Sequence, residues 1–430
     1  MNINKAYRYE LKPNNKQISL LIKHCGVARF AWNWGLAKHR TEYETTGKSS
    51  NAMKQHKELV ILKKTEFPWM YEVSKCVVQL PLQDLAKAYV NFYRGRKNNK
   101  DIGYPKFKKK GEHDSFKVNG GKNSLRVEGI GARLPRIGLI RTKEPTSKLK
   151  GRILNATVSR EADRWFVSLC VEQEIAKPTP IQGDIVGIDL GINSFATIWD
   201  SKQTQKVEAP KPLAQNMKKI KRLHRQQDKK QKGSNNQKKA TIRLSRCYHR
   251  IRNTRKDFLA KLTSSLAKTK PVIIIEDLAV SNMVRNHRLA RSINDVGWGE
   301  FRRMLEYKTE WYGSKLVVIG RFEPTSKMCH VCGVINKDLS LSQRTWICPN
   351  CGTVLDRDEN AAINIRNLGL SILATESSSG SNACGEGVRL PSLEATLVEA
   401  GSKHTPMGNK TYGTVDSFLA IFDIDIILKV

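Results

Sequence analysis

The sequence predicts a multidomain α/β protein, and three observations lead to this prediction. The chain has 430 residues, which is enough for about two or three domains with a sizeable core. Two apolar runs, VGIDL and PVIIIEDL, have the composition of buried strands, and each holds an acid near its end. Around these runs lie stretches with helical periodicity, a long basic segment and a compact group of four cysteines.

The charge of the chain predicts a polyanionic partner. The formal net charge is +35 at pH 7, which is extreme for this length. Such a field attracts phosphates, whose neutralisation releases counterions and drives binding. A merely solubilising surface is the alternative. No run approaches the ~18 apolar residues of a membrane span, and Met1 opens onto a polar strand rather than a signal peptide. We therefore expect a cytoplasmic protein that binds nucleic acid.

The N-terminal residues predict a strand followed by a helix. Residues 5–12 alternate apolar and charged side chains, as a half-buried strand does. From Gln17 to about Tyr43 apolar residues recur at helical spacing, interrupted at Gly26. Trp32 and Trp34 are expected in the core rather than as base-stacking platforms. Periodicity alone leaves a helix-turn-helix open for this segment.

A second amphipathic stretch covers residues 71–93, with Leu82, Leu85 and later apolar residues on one side. Lys75 and Gln79 are one turn apart on the other side. A Lys and a Gln in this arrangement can reach base edges in a DNA groove. A solvated helix face explains the pair equally well.

The next segment, RGRKNNKDIGYPKFKKK, interleaves basic and aromatic residues around a Gly-Tyr-Pro turn. This pattern suits a loop that clamps a nucleic-acid backbone. A disordered charged linker is the alternative, against which the embedded aromatic residues argue. The candidate contact residues are Arg94, Arg96, Lys97, Tyr104, Lys106, Lys108 and Lys109.

Residues 115–174 read as strands joined by turns, and Glu161 to Arg164 should close a hairpin. With the first strand they predict a small β-barrel. A second insertion, from Lys211 to about Lys270, is rich in Lys and Arg and predicts two helices broken at KGSNNQ. Its one-sided charge favours contact with a nucleic-acid duplex over a simple solvated face. Asp295 and Trp298, in the helical segment that follows, are expected to be structural.

Two acids lie where the buried strands end. Asp189 is the one charged residue in the apolar run VGIDL, and Glu276 follows a run of β-branched residues. An unpaired buried carboxylate is costly, whereas strand-end acids in α/β sheets project into the ligand crevice. The structural alternatives are a turn at Asp189 and a helix cap at Glu276.

Four cysteines form the pattern C-x2-C-x15-C-x2-C, which predicts a tetrahedral Zn²⁺ site. Four thiolates leave zinc no open position, so this ion would be structural. The ligands would be Cys329, Cys332, Cys348 and Cys351. Disulfides are the alternative. The remaining cysteines argue against it, because their scattered positions indicate a reducing compartment; they are Cys25, Cys76, Cys170, Cys247 and Cys384.

Asp358 follows this cluster in DRDENAAINI, at the start of a helix-like run. It is either a helix-capping acid or a partner of Asp189 and Glu276. In the order Asp, Glu, cysteine cluster, Asp, the three acids resemble the site of RNase H-like nucleases of the RuvC type. Such chemistry uses two Mg²⁺ ions held about 3.5–4 Å apart by carboxylates. Arg357 could orient a scissile phosphate or pair with an acid.

The strings GYPKFKKK, GIDLGI, IIIEDL, DVGWGEF and DRDENAA resemble the TnpB family of transposon-encoded proteins, relatives of the type V CRISPR effectors, over most of the chain. The resemblance implies an RNA-guided DNA endonuclease of an insertion sequence, with Asp189, Glu276 and Asp358 as catalytic acids that hold two Mg²⁺ ions. It implies guide RNA and target double-stranded DNA as partners, and a target-adjacent motif read near Lys75 and Gln79. The working form would be a monomer in a ribonucleoprotein at prokaryotic nucleoid DNA.

The same resemblance implies a domain plan. The wedge domain, a β-barrel, would be interrupted by a helical recognition domain, and an RNase H-like (RuvC-type) nuclease domain would carry a zinc-ribbon insertion. The ranges are wedge 1–12 and 112–180, recognition 13–111, nuclease 181–323 with the basic insertion, zinc ribbon 324–354 and last nuclease helix 355–370. Beyond Leu370 the chain is Ser/Gly-rich and lacks periodicity, which predicts a disordered tail over 371–430.

Two other functions are alternatives. A guide-dependent DNA-binding regulator would not need an acidic trio, so the three acids disfavour it. A transposase or accessory transposition protein is the second alternative. No Tyr or Ser of the chain has a recombinase context, but an RNase H-like trio of acids would also serve a transposase.

Overall fold

A computed structural model describes residues 1–98, 102–121, 125–340 and 342–378. These residues form two compact units. The N-terminal unit comprises Met1–Thr179, Pro212–Phe258 and Trp311–Gly313. The nuclease-like unit comprises Pro180–Lys211, Leu259–Glu310 and the described residues from Ser314 onward. The predicted disordered tail lies outside the described residues beyond Ser378.

The N-terminal unit begins with β1 (Asn2–Lys12) and α1 (Asn15–Thr46), which confirms the predicted strand and helix. Asn14 and Gln17 form a capping box at the start of α1, and Gly47 ends the helix with a left-handed φ of 67°. The expected interruption at Gly26 is wrong, because α1 continues through it. Residues 1–48 therefore hold one strand and one helix, and no helix-turn-helix.

Two further helices, α2 (Ala52–Thr65) and α3 (Cys76–Lys97), pack beside α1. A single 3₁₀ helix, Pro68–Glu72, joins them. Leu21, Leu59 and Leu82 are fully or almost fully buried in their shared core. Trp34 packs partly buried against this core, and Trp32 against a smaller cluster, as expected.

The sheet of this unit has seven antiparallel strands in the order β2-β6-β7-β1-β5-β4-β3. Beyond β1 the strands are β2 (Ser115–Asn119), β3 (Arg126–Glu128), β4 (Gly131–Leu134), β5 (Gly138–Thr142), β6 (Arg152–Glu161) and β7 (Arg164–Glu174). Glu161 pairs with Arg164 and closes the predicted hairpin. The predicted barrel is not closed among the described residues, because the short edge strand β3 does not pair with β2. Between these two strands, an isolated antiparallel bridge pairs Gly121 with Leu125.

The basic insertion folds as the predicted helical hairpin, α4 (Pro212–Asp228) and α5 (Asn235–Thr269). Its assignment to the nuclease domain differs from the observed grouping, in which α4 and most of α5 belong to the N-terminal unit. The physical reason is a set of charge pairs to the β6–β7 hairpin. Arg246 binds Asp163, and Arg252 binds Glu161.

The nuclease-like unit is built on a five-stranded sheet in the order β10-β9-β8-β11-β12. Its strands are β8 (Val186–Leu190), β9 (Ser194–Trp199), β10 (Thr204–Glu208), β11 (Val272–Glu276) and β12 (Lys315–Ile319). The last two strands are parallel to each other and β11 is parallel to β8, whereas β9 and β10 are antiparallel to their neighbours.

After β11 come α6 (Val280–Met283), α7 (His287–Val296) and α8 (Trp298–Tyr312). Asp295 and Trp298 are buried, consistent with structural roles. After β12, the hairpin β13 (Thr345–Ile347) and β14 (Val354–Asp356) leads into α9 (Arg357–Ser378).

Helix α9 packs across β8, β9, β11 and β12. A Cβ on Gly187 would lie 2.2 Å from the Ala362 carbonyl oxygen, so only glycine permits this approach of helix to strand. The predicted end of the nuclease helix at residue 370 is wrong. The helix continues to Ser378 because Ile372 and Leu373 still pack against the sheet. In the described chain, no helix combines the length and apolar character needed to cross a membrane.

Candidate active site

Three carboxylates meet at the carboxyl edge of the parallel strands. Ile188 of β8 pairs with Ile275 of β11, so Asp189 and Glu276 are the next residues in the same register. Asp358 is the second residue of α9, which packs on β8. Two adjacent strands and one helix thus bring together acids that are far apart in sequence.

The electrostatics show how closely the three acids interact. Loss of solvent raises the pKa of Asp189 to about 8, and the charges of Glu276 and Asp358 contribute to the increase. Burial also raises the pKa of Glu276, although a hydrogen bond from Thr325 opposes that shift. Like charges in a desolvated site disfavour ionisation of one another. A divalent cation would remove this repulsion, so the donor set fits a hard metal ion.

None of the three acids has the structural role that was its alternative: a turn for Asp189 and a helix cap for Glu276 and Asp358. Asp189 lies in β8, where it pairs with Thr197 of β9, and not in a turn. Glu276 ends β11 and caps no helix; its Oε1 accepts a hydrogen bond from the Thr325 hydroxyl. The N-terminus of α9 is capped by Asp356, whose Oδ1 accepts from the backbone N–H groups of residues 358 and 359 at 3.0 Å each. Asp358 is therefore available to the site.

A buried amide network fixes α9 to the segment that carries the first two cysteines. Asn360 and Asn364 are one helical turn apart and almost fully buried. Asn364 Nδ2 donates to the carbonyl oxygens of Thr325 and Met328 at 2.8 and 2.6 Å. Asn360 Nδ2 also donates to Met328, at 2.7 Å. Because Thr325 contacts Glu276, one network positions both that acid and the helix that bears Asp358.

Arg344 is a site residue that the sequence analysis missed. Its Nη1 lies 3.2 Å from Asp358 Oδ1, and about half of its side chain is exposed. It lies between the two cysteine pairs, and only the fold brings it to the acids. Arg357 Nη1 donates to the Ser340 carbonyl oxygen at 2.7 Å, and its charge lowers the pKa of Asp189, although burial dominates the pKa of that residue.

The four predicted zinc ligands converge. Their ligand atoms all lie within 4.8 Å of one another. Cys329 Sγ is 3.7 Å from Cys351 Sγ, and Cys332 Sγ is 3.5 Å from Cys348 Sγ. Sulfurs bound to tetrahedral zinc at ~2.3 Å would be about 3.8 Å apart, whereas a disulfide needs ~2.05 Å. The arrangement therefore fits a metal, and the disulfide alternative is wrong for these four residues.

The predicted nucleic-acid residues in α3 are accessible. Lys75 precedes α3 and is exposed; Gln79 is half-buried, and its N–H donates to the Lys75 carbonyl oxygen at 3.3 Å. Arg94, Arg96 and Lys97 are exposed in the last turn of the same helix.

The basic loop is anchored from residue 102 onward, so the linker alternative is wrong for this part. The Tyr104 hydroxyl bonds to that of Tyr89 at 2.9 Å. Trp32 Nε1 donates to the Lys106 carbonyl oxygen at 3.0 Å, and the Asn33 amide brackets the backbone of Lys108 at 2.8 and 3.0 Å. The side chains of Lys106, Lys108 and Lys109 remain exposed.

Comparison with known proteins identifies the family of the chain. Family profiles described as "Probable transposase", "Cas12f1-like, TNB domain" and "Helix-turn-helix domain" match residues 168–287, 298–365 and 1–48. A "TnpB-like protein" of Methanocaldococcus jannaschii is 29% identical over 40% of this chain and 38% of its own. A "Putative RNA-guided DNA endonuclease" of Streptomyces pristinaespiralis is 35% identical over 90% of this chain and 92% of its own length. The chain belongs to the TnpB family.

Another relative of this TnpB protein is the "Putative RNA-guided DNA endonuclease InsQ" of Escherichia coli (strain K12), 33% identical over 86% of this chain and 93% of its own. A solved Cas12f1-sgRNA-target DNA complex is 16% identical to this chain, with 82% of both chains covered and a TM-score of 0.49. The first profile spans Asp189 and Glu276, and the second spans Asp358 with all four cysteines. The third covers β1 and α1 despite its description.

Proposed function

We propose that this TnpB protein is an RNA-guided DNA endonuclease that hydrolyses double-stranded DNA at Asp189, Glu276 and Asp358. The observation that carries the proposal is the meeting of these carboxylates at the carboxyl edge of the sheet, with the pKa of Asp189 raised by burial to about 8. An acidic cluster that favours a divalent cation suits phosphodiester hydrolysis. Two relatives described as putative RNA-guided DNA endonucleases, matched over 92% and 93% of their own lengths, support the endonuclease class.

The three acids would hold two Mg²⁺ ions. When bound, the ions would activate a water and stabilise the leaving oxygen. The residues of the chain do the positioning. Thr325 holds the Glu276 carboxylate by a hydrogen bond, and Arg344 lies 3.2 Å from Asp358, where its guanidinium can orient that carboxylate or a phosphate.

The four cysteines would hold one structural Zn²⁺. Thr353 holds the pKa of the Cys351 thiol at about 6, whereas burial raises the pKa of Cys329 to about 11. Zinc binding requires thiolates, so the ion would displace the remaining protons. We assign the segment 324–354 as a zinc ribbon whose role is to present Arg344 and to anchor α9 through Asn360 and Asn364.

Guide RNA and target DNA are the proposed partners, and the ribonucleoprotein would act as a monomer on prokaryotic nucleoid DNA in the cytoplasm. Base pairing would read sequence. Lys75 and Gln79 would read the target-adjacent motif, while the loop from Arg94 to Lys109 and the α4–α5 hairpin would contact nucleic-acid backbone. We assign the seven-stranded sheet as the wedge and α1 to α3 as the recognition domain.

The decisive experiment uses protein copurified with RNA from the 3′ end of its own gene. A plasmid library with randomised bases beside a fixed target should be cut on both strands, only with Mg²⁺ and only beside one flanking motif. Cleavage by the Asp189→Ala variant should fall below detection, while the variant should bind the target normally. Asp184→Asn is the control, because Asp184 pairs with Lys202 at 3.2 Å on the surface and should not affect cutting.

The other outcomes support the other functions. Guide-dependent binding without cutting by the unaltered protein would identify a regulator. Copurification of RNA that is random in sequence, together with strand joining, would support a transposase. Cutting by Asp189→Ala would contradict the assignment of the site.

A further inference from the structure

Phe322 is a solvent-exposed aromatic residue in the turn that follows β12. Its side chain is 92% exposed, more than any other large apolar side chain in the described ranges. Single exposed apolar residues are common on proteins, but an almost fully exposed phenylalanine gains nothing from the hydrophobic effect. The position and the anchoring of the turn that carries Phe322 therefore matter for its role.

Phe322 follows the sheet edge at which the strands that carry Asp189 and Glu276 end. Ile319, the last residue of β12, pairs with Glu276 in the parallel register. Phe322 is three residues farther along, in the turn that follows that strand. The carboxyl ends of parallel strands share one edge, which is where α/β sheets bind ligands.

The turn is anchored on both sides of Phe322. Arg321 Nη2 binds Asp277 Oδ2, and Arg321 Nε donates to the Asp277 carbonyl oxygen at 3.3 Å. On the other side, the Thr325 hydroxyl donates to Glu276. These anchors are consecutive residues, 276 and 277, at the end of β11. The turn is therefore fixed to the strand that bears a candidate catalytic acid, and Phe322 projects from it.

We propose that Phe322 is a base-stacking platform for an unpaired nucleotide of the DNA strand that enters the acidic site. The inference deepens the proposed function and rests on it. Stacking on an exposed ring is how single strands are held without sequence preference. The chain's net charge of +35 and the half-exposed Arg321, which precedes Phe322, favour a polyanionic strand over a protein partner. Stacking would fix which phosphodiester faces the three carboxylates.

The test places abasic residues one at a time across each cleavage position in the target. The unaltered ribonucleoprotein should slow by about tenfold or more, the range expected for one lost stack, when the abasic residue occupies the stacking position. Phe322→Ala should cut the intact target equally slowly, and abasic residues should not slow it further. Phe322→Trp should restore the rate and the position dependence. Leu289→Ala, which removes a partly exposed apolar side chain from α7, should behave as the unaltered protein.

Two results would overturn the inference: Phe322→Ala cutting at the normal rate, or Phe322→Ala retaining the normal abasic profile. Cleavage by Asp189→Ala is tested in parallel. If that variant also cuts, the proposed assignment of cleavage to Asp189, Glu276 and Asp358 is wrong, and a strand held by Phe322 would have no assigned site to enter. If it is inactive while Phe322→Ala is normal, only the stacking role is rejected.

Discussion

Thr325 shows how a single hydroxyl can support an acidic site. It donates to Glu276, and its carbonyl accepts from Asn364 at 2.8 Å. Thr325→Val keeps the shape and removes the donor. We expect cleavage to fall about tenfold and half-maximal cutting to need more Mg²⁺, because a hydrogen bond to a charged group contributes about 1.5–3 kcal/mol. Cleavage rates across a magnesium titration measure both effects.

Thr325→Ser is the matched control, because it retains the hydroxyl and should keep most of the activity. Equal activity of the Val and Ser variants would show that the hydroxyl does not position Glu276. Equal loss in both would point instead to packing around the methyl group.

Glu161 should make a pH-dependent contribution to the free energy of unfolding. Burial opposes its ionisation, but the His249 hydrogen bond and the charges of Arg252 and Arg8 lower its pKa from 4.5 to about 2. A depressed carboxyl pKa stabilises the fold above the unfolded value of 4.5 and loses that effect as pH falls toward 2. Glu161→Gln should therefore lower the free energy of unfolding by up to about 3 kcal/mol at pH 7. The difference between the two proteins should shrink below about pH 4.5.

Urea unfolding of both proteins at several pH values measures this difference. Glu112→Gln is the control, since Glu112 is exposed and lies 4.0 Å from Lys109. If the difference in free energy of unfolding between the unaltered protein and Glu161→Gln did not change with pH, the lowered pKa of Glu161 could not be its cause.

At the residue scale the sequence predicted those side chains whose type and spacing already imply chemistry. Cysteine spacing predicted the four-sulfur cluster, and strand-end position predicted Asp189 and Glu276. Thr325, Arg344 and Asn360 were missed because a hydroxyl, a guanidinium or an amide acquires its role only from a partner distant in sequence. One signal was present: Asn360 and Asn364 are one turn apart in the apolar run NAAIN, where buried amides need specific partners.

Among the elements, α9 depends on close approach to β8. A Cβ at Gly187 would meet the Ala362 carbonyl oxygen at 2.2 Å and the Arg366 backbone nitrogen at 2.7 Å. Gly187→Ala must therefore displace the helix that bears Asp358. We expect a loss of about 3 kcal/mol in the free energy of unfolding and a large loss of cleavage. Chemical denaturation and cleavage assays measure the two effects.

Gly299→Ala provides the comparison, because a Cβ there would meet nothing within 4 Å and the residue lies in α8. It should be neutral or slightly stabilising, as alanine favours helices. If Gly187→Ala were as stable and active as this control, α9 would not depend on the glycine.

Element types were more predictable than element limits. Periodicity predicted β1, α1, the β6–β7 hairpin and the α4–α5 hairpin. It failed at Gly26, because packing of α1 overrides the low helix propensity of one glycine. It also failed at the end of α9, where Ile372 and Leu373 extend the helix by packing on the sheet. The closed barrel was predicted wrongly, because closure requires β2 to pair with β3, and strand patterns do not show which strands pair.

For the whole molecule, charge predicts strongly salt-dependent binding. Guide RNA affinity should fall by about 10³-fold or more between ~50 and ~200 mM salt, as expected for six or more phosphate contacts. The turn between α4 and α5 exposes Lys229, Lys230 and Lys232. Replacing these three with Gln should reduce the slope of log affinity against log salt by about 2, and an unchanged slope would exclude this turn from the RNA contact.

The grouping of the hairpin with the N-terminal unit was the main feature of organisation that the sequence did not predict. The pairs Arg246 to Asp163 and Arg252 to Glu161 join residues more than 80 positions apart. Surface charges of both signs are scattered along the chain, and nothing in their local pattern indicates which of them pair.

During translation, α9 leaves the ribosome after every strand of the sheet that it covers. Until then Gly187 and Ile274 lack the contacts that they make with α9, and Asp189 and Glu276 lack Asp358. The basic regions that attract RNA have already been made by that stage. A nascent chain can therefore associate with nucleic acid before it can hydrolyse it. A frameshift between residues 277 and 358 would leave the basic regions proposed to contact RNA together with Asp189 and Glu276, but without Asp358.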